Sequence, residues 1–196
     1  MSELRKRYDD LRGQQLDISE HLGLLYGLAC SPCVLTIGEI GFRTGVSTTA
    51  LALSRKPTFS IDIKLDRKMT KWFVRHAPNV MLFEADSMKT EVNKCDLLHI
   101  DGEHTYRQVR AELKRWAPSV GKWIALHDTE TFGAKGRDNK RPGLTQAIDE
   151  FIEENSEWRI QLHLTNNNGF TLLERSTTPS AATATTDIPS SSTETG

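Results

Sequence analysis

The chain has 196 residues and a formal charge of −1, a length that suits one domain able to bury a sizeable core. Near-neutral charge argues against nucleic acid or an anionic membrane surface as the main partner, and no apolar run approaches the roughly 20 residues of a membrane span. The start, M-S-E-L-R-K-R-Y-D-D, lacks a signal peptide's apolar core and the three cysteines have no secretory context, so reduced thiols and a cytoplasmic location are expected.

Residues 2–29 read as helical. Asp17 followed by Glu20 fits a capping box, and Leu22, Leu25, Leu28 and Ala29 make a helical stripe. His21 and Tyr26 lie in this segment and receive no functional role. Cys30-Ser-Pro-Cys33 has C-x-x-C spacing, but it precedes a strand instead of following one, and no second pair completes a zinc site.

The most informative stretch is Leu35–Leu53, L-T-I-G-E-I-G-F-R-T-G-V-S-T-T-A-L-A-L. A short β-branched run passes through glycines at 38, 41 and 45 and becomes helical, which predicts a buried strand, a tight turn and a helix. Gly-x-Gly-x-x-Gly, the pattern that seats a pyrophosphate, is missing. Glu39 ends the strand instead, its charge expected to point into the crevice, where it suits a cationic ligand. An ordinary Gly-rich turn without a ligand is the competing reading. The pattern Glu39-x-Gly41-x-x-x-Gly45-x-Ser47-Thr48 resembles motif I of the class I S-adenosylmethionine (SAM)-dependent methyltransferases. That resemblance implies a loop that cradles the cofactor's methionine and adenosine portions, with Glu39, Gly41, Gly45 and Ser47 in contact.

Pro57–Asp62 predicts a second strand ending in a carboxylate. An ionised carboxylate there accepts two hydrogen bonds from a ribose diol, so Asp62 is the ribose candidate, with a turn or helix-cap role as the alternative. Leu65–His76 carries Leu65, Met69, Trp72 and Phe73 at helical spacing, and Asn79–Glu84 predicts a third strand. Ala85-Asp86-Ser87 follows and resembles the family's Gly-Asp-Ser-like motif, which implies an adenine contact for Asp86 and Ser87. A polar turn capped by Asp86 is the other reading.

Two later strands end in polar groups: Leu97–Ile100 runs into Asp101-Gly-Glu-His104, and Trp123–Leu126 runs into His127-Asp128-Thr129. Thr105 with Gln108 marks a helix start, and Tyr106, Val109, Leu113 and Trp116 form its stripe. In a parallel sheet these strand ends open on the same crevice as Glu39 and Asp62. I-D-G-E-H-T-Y, a helix and then L-H-D-T are similar to a small-molecule branch that includes macrolide-sugar O-methyltransferases and cephalosporin hydroxylase-like proteins. The resemblance spans roughly Val34 to Ser176. It implies His104 as base, Asp101 in a catalytic or cofactor-binding role, and Asp101 and Asp128 as ligands of a divalent metal. His127 stands where those relatives have a carboxylate, which shifts the metal preference from Mg²⁺ towards Zn, Mn or Fe.

Thr129–Gly143 is Gly-rich and cationic (Lys135, Arg137, Lys140, Arg141) and is placed to act as a substrate lid, with Gly133, Gly136 and Gly143 letting it move. Leu144–Asn155 predicts a helix, and Asn166-Asn-Asn-Gly169 predicts a hairpin between two last strands. The expected organisation is a helical segment over 1–30, an α/β domain over 31–175 with a doubly wound Rossmann-like sheet of about seven strands, the last pair antiparallel and helices on both faces, and a disordered Ser/Thr-rich tail over 176–196. The expected activity is SAM-dependent methylation of a hydroxyl on a small molecule. A nicotinamide-dependent oxidoreductase on the same fold, or a non-catalytic cofactor-binding module, are the rival readings.

Overall fold

The computed structural model describes residues 1–176. Thirteen elements follow one another: α1 (Glu3–Arg12), α2 (Leu22–Cys30), β1 (Ile37–Ile40), α3 (Val46–Ala52), β2 (Thr58–Asp62), α4 (Arg67–His76), β3 (Val80–Glu84), β4 (Cys95–Ile100), α5 (Tyr106–Trp116), β5 (Val120–His127), α6 (Leu144–Glu154), β6 (Trp158–Leu164) and β7 (Phe170–Arg175). They build one seven-stranded sheet in the order β3-β2-β1-β4-β5-β7-β6. The first five strands in sequence pair in parallel, and β7 runs antiparallel to both β5 and β6.

The central strands β1, β4 and the second half of β5 are buried on both faces, whereas the edge strands β3 and β6 are largely exposed. Alternate side chains serve different layers. Ile40, Leu98, Ile100, Ile124 and Leu126 pack with Val109, Leu113 and Trp116 of α5 and with Ala147, Ile148 and Phe151 of α6. Ile37, Leu97 and Ala125 face the other way, against α1, α2 and α3 through Tyr8, Leu25, Ala29, Ala50 and Leu51. α4 completes that side, with Phe73 packed on Phe42 and Ala52. The strand order reverses between β1 and β4, which opens a crevice at their carboxyl ends.

The helix starts follow from short polar side chains. Asp66 accepts the Met69 N–H at 2.7 Å ahead of α4, and Thr105 accepts the Gln108 N–H at 3.4 Å ahead of α5. The hairpin turn carries Asn167, Asn168 and Gly169 at φ 46°, 72° and 92°, a left-handed run that Asn and Gly tolerate best. The N-terminal segment differs from expectation. It is two helices separated at Gly13–Ile18, with a 3₁₀ turn over Ser19–His21. Asp17 caps nothing there; its Oδ2 accepts from the Arg43 guanidinium at 2.7 Å. No helix among the described residues is long and apolar enough to cross a membrane. The tail expected from 176 onward lies outside the described residues beyond Ser176 itself.

Candidate active site

A cleft of about 460 Å³ lies over the carboxyl ends of β1, β2 and β4, closed on one side by the loop after β3 and by α5. This is within the usual range for small-molecule sites. Asp62, Asp86, Asp101, Glu103 and Glu112 give it an acidic wall, and among the described residues Arg43 and Arg137 are the basic ones that line it. Asp62 binds the turn after β1: Oδ2 accepts the Arg43 N–H at 2.7 Å and Oδ1 accepts the Lys64 N–H at 3.1 Å. Asp86 accepts the Met88 N–H at 2.9 Å and pairs with Lys89 at 3.1 Å; these contacts hold its carboxyl below the ordinary value. The Ser87 hydroxyl donates to Glu112 Oε1 at 2.7 Å.

At the β4–β5 end of the cleft, two carboxylates and two imidazoles meet. His104 Nε2 lies 3.1 Å from Asp101 Oδ1 and 3.2 Å from Asp128 Oδ2, and its ring stacks on Phe132 with centroids 5.0 Å apart. His127 Nδ1 faces Asp101 Oδ1 at 3.5 Å and Asp128 Oδ1 at 3.4 Å. Its Nε2 is 3.2 Å from the Asn167 carbonyl, an acceptor only, so that nitrogen carries a proton. Burial pushes the His127 imidazole down, but the facing carboxylates of Asp101 and Asp128 outweigh it and raise its pKa. Burial likewise pushes Asp101 up, and the imidazoles of His104 and His127 beside it outweigh that and hold the carboxyl well below its usual range. Asp128 adopts φ 60°, a left-handed backbone that only short polar side chains accept readily.

A family model of the methyltransferase domain matches residues 39–129. This matched stretch, which runs from β1 to β5 and holds most of the cleft, is similar to a methyltransferase domain. Among solved structures, a protein from Corynebacterium glutamicum superimposes with a TM-score of 0.67 at 16% identity, over 89% of this chain and 92% of that one. An SAH-bound methyltransferase from Podospora anserina gives 0.63 at 16% identity, over 88% and 87%. The O-methyltransferase TomG from Streptomyces achromogenes, in complex with SAM and involved in tomaymycin synthesis, gives 0.57 at 16% identity, over 81% and 80%. At such identities the likeness is one of fold. No curated protein matches the sequence.

The fold places Gly41, Asp62, Asp86, Ser87 and Asp101 on the wall of the cleft. Glu39, Gly45 and Ser47, expected at the cofactor, are not among the residues that line the cleft. Glu39 is fully buried and points beneath the turn, where its carboxylate accepts from Ser47 Oγ at 2.6 Å and from Thr48 Oγ1 and Ser60 Oγ at 2.5 Å. Period-two alternation explains this: Glu39 shares the face of Ile37, under α3, while Ile40 turns to the other layer. Ser47 therefore supports Glu39 from the first turn of α3. Gly45 stands at φ 72° where a Cβ would collide with Phe73 and Phe42, so it is required by packing behind the loop. Gly41, at φ 103°, lines the cleft, yet the space its missing side chain leaves is taken by the Asp101 carbonyl.

The loop expected to act as a lid packs against His104. Arg137 N–H donates to the His104 carbonyl at 2.7 Å, and Phe132 stacks on the His104 ring. Its glycines serve close packing: a Cβ on Gly133 or Gly143 would collide with backbone oxygens at Thr129 or Phe132. Several residues with a part in the site escaped the sequence reading. Arg7 of α1 donates to the Thr44 carbonyl at 2.9 Å and to Thr49 Oγ1 at 3.0 Å, clamping the glycine turn from outside. His21 packs its ring edge-on to His127 at 5.6 Å. Glu112 reads as a surface charge on a helix, although its place beside Leu113 and between Val109 and Trp116 puts a carboxylate on the apolar stripe.

Proposed function

We propose that this methyltransferase moves the methyl group of SAM to an oxygen of a small-molecule acceptor, in the cytoplasm and without nucleic acid. One observation carries the reading: Asp101 belongs both to the wall of the acidic cleft and to the imidazole cluster, so the cofactor's reactive end and a base meet at one side chain. SAM-bound and SAH-bound proteins share the fold, which supports the choice of cofactor. The donor set suits it too. Asp62 retains lone pairs for a ribose diol, and an acidic wall favours a sulfonium cation.

When bound, SAM supplies an electrophilic methyl group. The protein's part is to align the acceptor oxygen with that methyl and to remove its proton. His104 does the latter. Its Nε2 faces the acceptor oxygens of Asp101 and Asp128 and already carries a proton, so the nitrogen that takes the acceptor's proton is Nδ1, and the two carboxylates stabilise the imidazolium that forms. Phe132 fixes the ring plane and, with the 129–143 loop, keeps water from the reacting end.

A second reading adds a divalent metal, and a specific observation favours it: His127 Nδ1 and Asp128 Oδ1 are buried without a hydrogen-bond partner. One ligand atom each from Asp101, His104 and Asp128 fall within 4.8 Å of one another. Asp101, Asp128 and His127 would hold the ion, with the Asn167 carbonyl orienting His127 in the manner of outer-shell partners. A cation there would lower the acceptor hydroxyl's pKa. Imidazole ligation favours Zn²⁺ or Mn²⁺ over Mg²⁺, so these ions should raise the melting temperature of the wild type and not of Asp128→Asn.

The test of the main reading is methyl transfer from labelled SAM across a panel of hydroxylated acceptors. His104→Ala should lower turnover on the acceptor found by about 10²–10⁴-fold while leaving SAH affinity unchanged. Unchanged turnover would remove His104 from the chemistry.

A further inference from the structure

The two edges of the sheet are finished differently. β6, at one end, shifts register between Ile160 and Leu162 and exposes Arg159, Gln161 and His163, the irregularity and polar side chains that keep an edge from pairing. β3, at the other end, keeps an unbroken register with β2 and reads V-M-L-F-E. Its Val80 and Leu82 turn to α4, whereas Met81 and Phe83, in register with Phe59 and Ile61, turn to the opposite face and are 57% and 40% exposed. The chain passes from β3 to β4 without a helix, so that connection leaves this corner of the sheet without helical cover. On the α4 side, Val74 is 70% exposed.

The outward backbone groups set what can pair here. The Asn79 carbonyl accepts from the Thr58 N–H at 2.9 Å and the Ala85 N–H donates to the Asp62 carbonyl at 2.8 Å, so the odd-numbered residues of β3 direct their backbone to β2. Val80, Leu82 and Glu84 direct theirs outward. The Val80 N–H turns back to Ala77, which leaves the Val80 carbonyl, both groups of Leu82 and the Glu84 N–H facing away from the sheet. An antiparallel copy of the same strand satisfies that row. With the two-fold axis at Leu82, Leu82 exchanges both bonds with Leu82 of the second copy, Glu84 donates to its Val80, and Met81 stands directly opposite its Phe83. That last pair is of the close, non-hydrogen-bonded kind, where a thioether meets an aromatic ring, and the exposed side chains of each copy cover those of the other. The chain's own stretch 177–196 has Ile188 as its one large apolar residue and offers no such cover. We propose that β3 is a self-complementary interface through which two copies of this chain join their sheets edge to edge. One strand pair flanked by α4 is a small interface, so the dimer forms at micromolar concentrations.

Sedimentation equilibrium of the full chain, from about 1 to about 300 μM, tests this, and the wild type should pass from one chain mass to two across that range. Phe83→Lys should weaken association by about tenfold or more, because the axis presents each substitution twice, while Ile160→Lys on the other edge should leave it unchanged. Paired charges read the register. Met81→Lys/Phe83→Glu sets opposite charges across the axis and should associate severalfold more tightly than Met81→Lys/Phe83→Lys, which sets like charges there. A wild type that stays monomeric throughout overturns the inference and leaves the apolar face to a different partner. A dimer that Phe83→Lys leaves intact, or that Ile160→Lys dissolves, overturns it as well, and equal association of the two double variants overturns the register. Should Phe83→Lys fail to fold by circular dichroism, Met81→Lys at the more exposed position decides in its place. None of these readings involves the cofactor, so the outcome stands apart from the function proposed above.

Discussion

At Glu112 burial works against stability, and the sign of the pKa shift says how. A carboxyl whose folded value is raised binds its proton more tightly in the folded state, so it costs nothing below the unfolded value near 4.3 and lowers stability increasingly as the pH rises past it. Glu112→Gln should therefore melt with the wild type at pH 4 and above it at pH 7. Melting curves at the two pH values check this; equal melting temperatures at pH 7 would mean that the carboxyl is already satisfied. Such a residue is hard to see in a sequence, because a charged side chain on an amphipathic helix reads as solvated unless its phase is checked against Val109, Leu113 and Trp116. Asp62, Asp86, Ser87 and Asp101 were legible for the opposite reason: each stands at or just after the end of an apolar run, and strand ends in a parallel sheet share one crevice.

Among the elements, the β1–α3 turn shows how a motif can be legible while its physical cause is not. Two glycines were visible, and their purpose looked like room for a ligand. The chain instead uses that room for the Asp101 backbone at Gly41 and for the Phe73 ring at Gly45, neighbours that are remote in sequence. Gly41→Ala should destabilise the protein by about 2 kcal/mol or more, since it combines a backbone collision with φ 103°. The urea midpoint of unfolding measures it, and an unchanged midpoint would show that the turn can relax. α1 bears on the same turn through Arg7, whose two hydrogen bonds reach Thr44 and Thr49. Arg7→Met should loosen the turn and weaken SAH severalfold without touching the cleft, at roughly 1 kcal/mol per bond lost. If its calorimetric affinity for SAH equals that of the wild type, α1 is only a cover.

For the whole molecule, the doubly wound sheet and its antiparallel end were readable from alternating strand and helix patterns and from Asn166–Gly169. The break between α1 and α2 was not, because Leu16, Ile18 and the leucines after them keep apolar residues coming while the chain turns. Cysteine reactivity reports on the integrity of this fold. Cys30 and Cys33 are exposed and free, whereas burial pushes the Cys95 thiol in β4 up to about 12. Two thiols should react promptly with a disulfide reagent and the third only on unfolding; three prompt thiols would mean that β4 is open to solvent. The sheet in turn places the acidic strand ends beside the imidazole cluster, and everything proposed for the chemistry depends on what that crevice accepts. Calorimetry with SAH and with NADH asks this directly. One molecule of SAH bound per chain, with NADH giving no heat, is the predicted result, and NADH binding in place of SAH would contradict the account.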